Sequence, residues 1–185
     1  MSPGRARLFV ALDLPDPIRR ELGAWAREHL EGRAQLRPIP PANLHATLCF
    51  LGWCDEEDIE SVAELTAACA GPAPGLSLGA LRWLPPRRPR VLAIDLGDRA
   101  GGLAALQQRL SDTLAAQAAY PPEKRRFHPH VTIARVRARA RVSARDQASL
   151  PPPPRAAFDG PAVTLYRSRL ARSGASYEPV ARTRL

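Results

Sequence analysis

His45-Ala46-Thr47-Leu48 and His130-Val131-Thr132-Ile133 share one pattern, His-x-Thr followed by an apolar residue. Each lies in an apolar run of strand length, residues 44–51 and 131–136. On a β-strand, residues i and i+2 point to one face, so each motif sets an imidazole beside a hydroxyl. Two such strands facing each other place two histidines and two hydroxyls around one cavity. A neutral imidazole that takes a proton and an imidazolium that gives one are the parts of a general acid–base pair. With four histidines and six threonines in the chain, chance produces two His-x-Thr pairs in about 1 in 100 such sequences. The plainer alternative, two partly buried histidines bonded to neighbouring hydroxyls, stays open at this point.

Outward from the motifs, residues 7–13 (RLFVALD) read as a strand. Pro15-Asp16-Pro17 then opens a helix, with Asp16 as its N-cap. Ile18, Leu22, Trp25, Ala26 and Leu30 have core-facing spacing, and the helix should end near Gly32. Pro38, Pro40 and Pro41 read as loop, and the first motif strand should stop at Gly52. Asp55 is expected to cap a second helix whose apolar face is Ile59, Val62, Ala63 and Leu65. Residues 76–84 and 91–96 read as paired strands around a basic, proline-punctuated loop. A third helix over 102–119 carries Leu103, Leu106, Leu110 and Leu114 on one stripe. Residues 137–155, rich in Arg and then in Pro, read as a solvated excursion with one helical turn. Residues 162–170 and 177–184 read as terminal strands around a Ser173-Gly174 turn. Strand, helix and His-x-Thr strand occur in that order twice. The pattern predicts one domain, residues 1–185, made of two α+β lobes related by a pseudo-twofold, with the motif strands meeting at the seam.

The net charge of +9 and pI near 10.8 point to a polyanionic partner, nucleic acid first. Lys124 is the only lysine, and the Arg fork suits phosphate better than an ammonium does. Generic solubility charge, and a coding bias that favours Arg, Ala and Pro together, account for part of this. Cys49, Cys54 and Cys69 lack paired zinc spacing and read as free thiols in a reducing compartment. Without a signal-peptide core or an apolar run of membrane-spanning length, a cytoplasmic protein with no membrane partner is expected.

Taken together, RLFVALDLP at the start, NLHATLCFLG, FHPHVTIARV and LYRSRL near the end resemble the bacterial RNA 2′,3′-cyclic phosphodiesterases. These were first called 2′-5′ RNA ligases and belong to the 2H phosphoesterase superfamily. The resemblance spans nearly the whole chain. It implies the bilobal, LigT-like α+β fold, with two antiparallel sheets around a central basic cleft and helices on the outer faces. It implies hydrolysis of a terminal 2′,3′-cyclic phosphate to a 2′-phosphomonoester with no metal; no cofactor and a monomer are expected. The substrate would be RNA ends, tRNA fragments or nucleotides; the alternative activity is reversible 2′-5′ ligation. By correspondence His45 is the proton donor and His130 the proton acceptor, although the sequence alone leaves that order open. Thr47 and Thr132 would donate to phosphate oxygens, and Arg135, in a His-x-Thr-x-x-Arg pattern, would contact phosphate.

Strict alternation turns Arg135 away from His130 and Thr132, so it needs a bulge or strand end to reach a cleft. His128 shares the parity of His130 but reads as a bystander at a loop exit. Phe9 and Tyr166 are base-stacking candidates, with core packing the alternative for Phe9. Arg125, Arg126 and Arg137 are candidate RNA-backbone contacts, against a merely solvated basic face. Cys49 has the parity of His45 and Thr47 and reads as packing. Two competing readings are a nucleotide-binding module without turnover and a metal site built from His45, Cys49, His128 and His130. Both histidines being intact speaks against the first, and no ligand spacing supports the second. Two ordinary imidazoles, titrating near pH ~6.5, predict a bell-shaped rate about neutrality.

Overall fold

From Leu8 to Asp13 the first strand is buried on both faces, Leu8, Val10 and Leu12 completely. The computed structural model describes residues 4–118, 120–123, 125–171 and 174–185. In chain order the elements are β1 (Arg5–Asp13), α1 (Asp16–Leu30), β2 (Leu36–Pro38), β3 (His45–Asp55), α2 (Ile59–Ala68), β4 (Gly75–Leu84) and β5 (Val91–Gly97). Then follow α3 (Gly102–Gln117), β6 (His130–Val136), α4 (Ala144–Ala148), β7 (Ala157–Asp159), β8 (Ala162–Ala171) and β9 (Gly174–Arg184).

The strands form two antiparallel sheets, ordered β3-β1-β8-β9 and β2-β6-β5-β4-β7. The triplets β3-β1-β8 and β6-β5-β4 correspond, which is the duplication expected from sequence. The halves also exchange chain: β2 completes the second sheet, while β8 and β9 complete the first. β3 packs against β6, so the two motif strands meet where the sheets meet. The expected leucine stripe of α3 is buried, and α2 packs on α3, β8 and β9. Among the described residues no helix is long and apolar enough to cross a membrane.

Several local expectations need correction. Asp16 is the first helical residue, not the cap; extended Pro15 precedes it, and the Asp16 carboxylate pairs with Arg19 one turn on. Asp55 ends β3 and pairs with Arg5 at 3.3 Å, and a 3-10 turn at Glu56–Asp58 separates it from α2. β3 does not stop at Gly52. A φ of +77° there lets the strand bulge at Leu51 and continue in register to Asp55. The Pro-rich segment is not solvated throughout: the Trp25 indole donates to the Pro152 carbonyl at 3.1 Å, and Pro153 is buried. Ser173 of the expected last turn lies outside the described residues.

Candidate active site

His45 and His130 are the first residues of β3 and β6, and each stands directly opposite an aspartate, Asp13 on β1 and Asp95 on β5. The two imidazoles are held alike. His45 Nδ1 lies 2.7 Å from the Asn43 carbonyl, and His130 Nδ1 lies 2.7 Å from the His128 carbonyl. A carbonyl only accepts, so each Nδ1 carries the proton and donates it. That leaves Nε2 as the working nitrogen of both rings. His45 Nε2 is 3.1 Å from Thr47 Oγ1, and Thr47 and His130 line one cavity of about 590 Å³.

Matching bulges carry the rest of each motif. In β3, Thr47 pairs with Ala11 and Cys49 with Val10, so Leu48 is the extra residue. In β6, Thr132 pairs with Ala93 and Ala134 with Leu92, so Ile133 is the extra residue. A bulge shifts parity by one. Arg135 therefore pairs with Val91 and returns to the face that carries His130 and Thr132. The same shift corrects the reading of Cys49, which is turned into the core, fully buried, its thiol pushed up to about 12 by that burial. With Cys49 turned away, the set His45, Cys49, His128 and His130 is not assembled. Phe50 takes the place on the cleft face that corresponds to Arg135.

Sequence reading missed the two aspartates. Asp13 is buried and accepts from Thr164 Oγ1 at 3.1 Å, Tyr166 Oη at 2.8 Å and Arg182 Nε at 2.7 Å. Asp95 accepts a two-pronged bond from Arg82 and lies 2.9 Å from His128 Nε2. Burial works to raise the Asp95 pKa, but Arg82 and His128 outweigh it and hold the carboxyl below its usual range. A signal for both was present. Phe9-Val10-Ala11-Leu12-Asp13 and Val91-Leu92-Ala93-Ile94-Asp95 repeat one pattern, two apolar residues, Ala, an apolar residue and Asp.

His128 is not a bystander: its carbonyl holds His130, its ring meets Asp95, and it lines the cavity. Phe9, offered above as a stacking surface for a base, is buried, with Tyr166 stacked on it at 5.2 Å and His45 against it at 4.9 Å. It supports the imidazole and leaves no face for RNA. The Tyr166 hydroxyl is committed to Asp13, and burial together with that bond pushes its pKa up to about 12. Tyr177, which the sequence did not single out, meets the His45 ring edge-on at 5.2 Å. Arg125 and Arg126 are exposed and line the same cavity as His130. Two other cavities, about 620 Å³ beside Ser77 and Pro152 and about 580 Å³ at the end of α1, hold no histidine.

Burial among these aromatic rings pushes His45 down to about 4, against the opposing pull of the Asn43 carbonyl and Asp13. Arg135 and His130 add to the depression, which places both near His45. His45 is therefore neutral at pH 7.

Residues 14–172 match the 2′-5′ RNA ligase superfamily. The chain is 33% identical to the RNA 2′,3′-cyclic phosphodiesterase of Escherichia coli (strain K12) over 178 residues, covering 95% of this chain and 94% of that one. A crystal structure of a phosphoesterase is similar with a TM-score of 0.79 at 33% identity, over 98% of this chain and 99% of the other. The crystal structure of E. coli LigT complexed with 3′-AMP is similar with a TM-score of 0.77 at 32% identity, again over 98% and 99%.

Proposed function

The chain belongs to the 2′-5′ RNA ligase superfamily, and on that premise we propose that it hydrolyses the 2′,3′-cyclic phosphate at RNA ends to a 2′-phosphomonoester, without a metal. The observation that carries this reading is the matched pair of imidazoles, each fixed by an Nδ1–H bond to a carbonyl two residues upstream. His130 Nε2 takes a proton from water as the water oxygen bonds to phosphorus. The P–O3′ bond breaks as His45 Nε2 gives its proton to O3′. Thr47, Thr132 and Arg135 hold the charge on the non-bridging oxygens. Each turnover moves the proton of the pair from one ring to the other, and exchange with solvent resets it. Because burial keeps His45 neutral at pH 7, its proton is taken up with the anionic substrate, whose charge at Nε2 favours imidazolium.

The direct test is RNA ending in a 2′,3′-cyclic phosphate, with identification of the product. A 2′-phosphate supports the reading; a 3′-phosphate, or no turnover, rejects it. Turnover is expected to be unchanged in EDTA, because the two rings supply both proton transfers; loss in chelator restored by a divalent ion overturns that part. Arg135→Ala is expected to weaken substrate binding about 10–100-fold, the worth of a charge-assisted hydrogen bond, read as a rise in KM. An unchanged KM would place Arg135 outside the site despite its bulge.

A further inference from the structure

Arg37 has no part in that scheme. It stands directly opposite Arg135 across the β2–β6 ladder, and directly paired residues project to one face. Like charges in that relation repel. Among the described residues neither guanidinium is paired with a carboxylate. The short strand that carries Arg37 is nevertheless held firmly. Ile39 N–H donates to the carbonyl of the bulged Ile133 at 2.8 Å, and Arg137 Nε donates to the Leu36 carbonyl at 3.1 Å, so β2 is pinned from both ends.

Arg37 and Arg135 line a cavity of about 100 Å³ together with Asn43 and Tyr177. Those two residues also touch the proposed proton donor, Asn43 through its carbonyl and Tyr177 through its ring. Two like charges side by side at a small hollow describe a site for an anion. The hollow is far below the roughly 300–1,000 Å³ of pockets that take whole organic ligands, and suits one phosphate group. The cavity of about 590 Å³ on the His130 side, with Leu84, Pro85 and Phe127 among its walls, has room for a nucleoside.

We propose that Arg37, in the cavity it shares with Arg135, binds the phosphodiester one nucleotide upstream of the cyclic end, with Arg135 lying between that group and the cyclic phosphate, so that the 5′-phosphate of the terminal nucleotide is a recognition element. This rests on the phosphodiesterase reading above. On a β-ribose the base on C1′ and the C5′ group on C4′ share the face away from the 2′,3′ oxygens, but they leave from carbons on either side of the ring oxygen. With the cyclic phosphate between the imidazoles, base and 5′-phosphate diverge toward the two cavities. Arg37 is then a substrate-binding residue that separates RNA ends from free cyclic nucleosides.

The test compares a nucleoside 2′,3′-cyclic phosphate bearing a 5′-hydroxyl with the same compound bearing a 5′-phosphate, on wild type, Arg37→Gln and Arg37→Lys. Wild type is expected to show a KM about tenfold lower for the 5′-phosphorylated compound. Arg37→Gln brings the KM ratio toward one, and Arg37→Lys keeps part of it. A wild type without the preference, a preference that survives Arg37→Gln, or an equal loss on both compounds overturns the proposal. A second arm measures binding of a 5′-phosphorylated oligoribonucleotide without a cyclic end. There Arg37→Gln should lower the slope of log K against log salt by about 0.7, one phosphate contact on a single strand. No turnover by wild type with the slope still falling would reject the hydrolase reading and leave the cavity standing. Normal turnover with both preference and slope unaffected would reject the cavity alone.

Discussion

His45→Ala and His130→Ala are each expected to lower kcat by roughly 10²–10⁴, the range for loss of a general acid or base. The double variant should be far less impaired than the product of the two losses, because the rings act as a unit in one step. A substrate whose leaving group needs no proton, such as a p-nitrophenyl phosphodiester, separates the roles. With it His45→Ala should be largely restored, since the donor is no longer needed, while His130→Ala stays slow. Restoration of the His130 variant instead reverses the assignment. If neither is restored, both rings mainly hold phosphate.

Acidification is expected to destabilise the ligand-free protein through His45 between about pH 6.5 and pH 4. The unfolded imidazole takes its proton near 6.5 and the folded one only near 4, so in that window the unfolded chain binds more protons. Stability therefore rises with pH across it. The difference at full development is on the order of 3 kcal/mol. Urea denaturation of wild type and His45→Asn at pH 7 and pH 4.5 reads it directly: the variant should lose clearly less stability on acidification. A phosphate-bearing ligand should reverse the tendency, since its charge restores the imidazolium. Its stabilising effect should grow as the pH falls from 7 to 5 in wild type and much less in His45→Asn. For kcat/KM, which reports the free protein, the His45 limb is expected near pH 4 and not about neutrality as ordinary imidazoles would give. Equal pH dependence of wild type and variant would show that the ring is not desolvated in the ligand-free protein.

The long elements were legible from their apolar residues: an unbroken run from Leu8 to Leu12 between turn signals, and Leu103, Leu106, Leu110 and Leu114 at spacings of three and four. The two histidines were legible because a strand presents every second side chain. The bulges were not, since Leu48 and Ile133 look like ordinary strand residues and become extra only by what the neighbouring strand lacks. Parity still showed that Arg135 needed one, and it misplaced Cys49 for want of the other. β2 was read as loop because its three residues end in Pro38 and pair only along β6. Arg37 stayed unremarked with it. Asp13 owes its place to Thr164, Tyr166 and Arg182, partners too distant in sequence for local reading.

The bond from Arg182 to Asp13 spans 169 residues. Both His-x-Thr segments are synthesised ahead of β8 and β9. Until β8 has emerged, the strand opposite His45 has no neighbour on its far side, and until residue 182 has emerged the Asp13 carboxylate lacks one of its three donors. The first half cannot settle early as an autonomous unit, as N-terminal domains commonly do. A chain in which β8 and β9 have not yet joined the first sheet therefore carries both histidines without the three donors that fix Asp13 opposite His45.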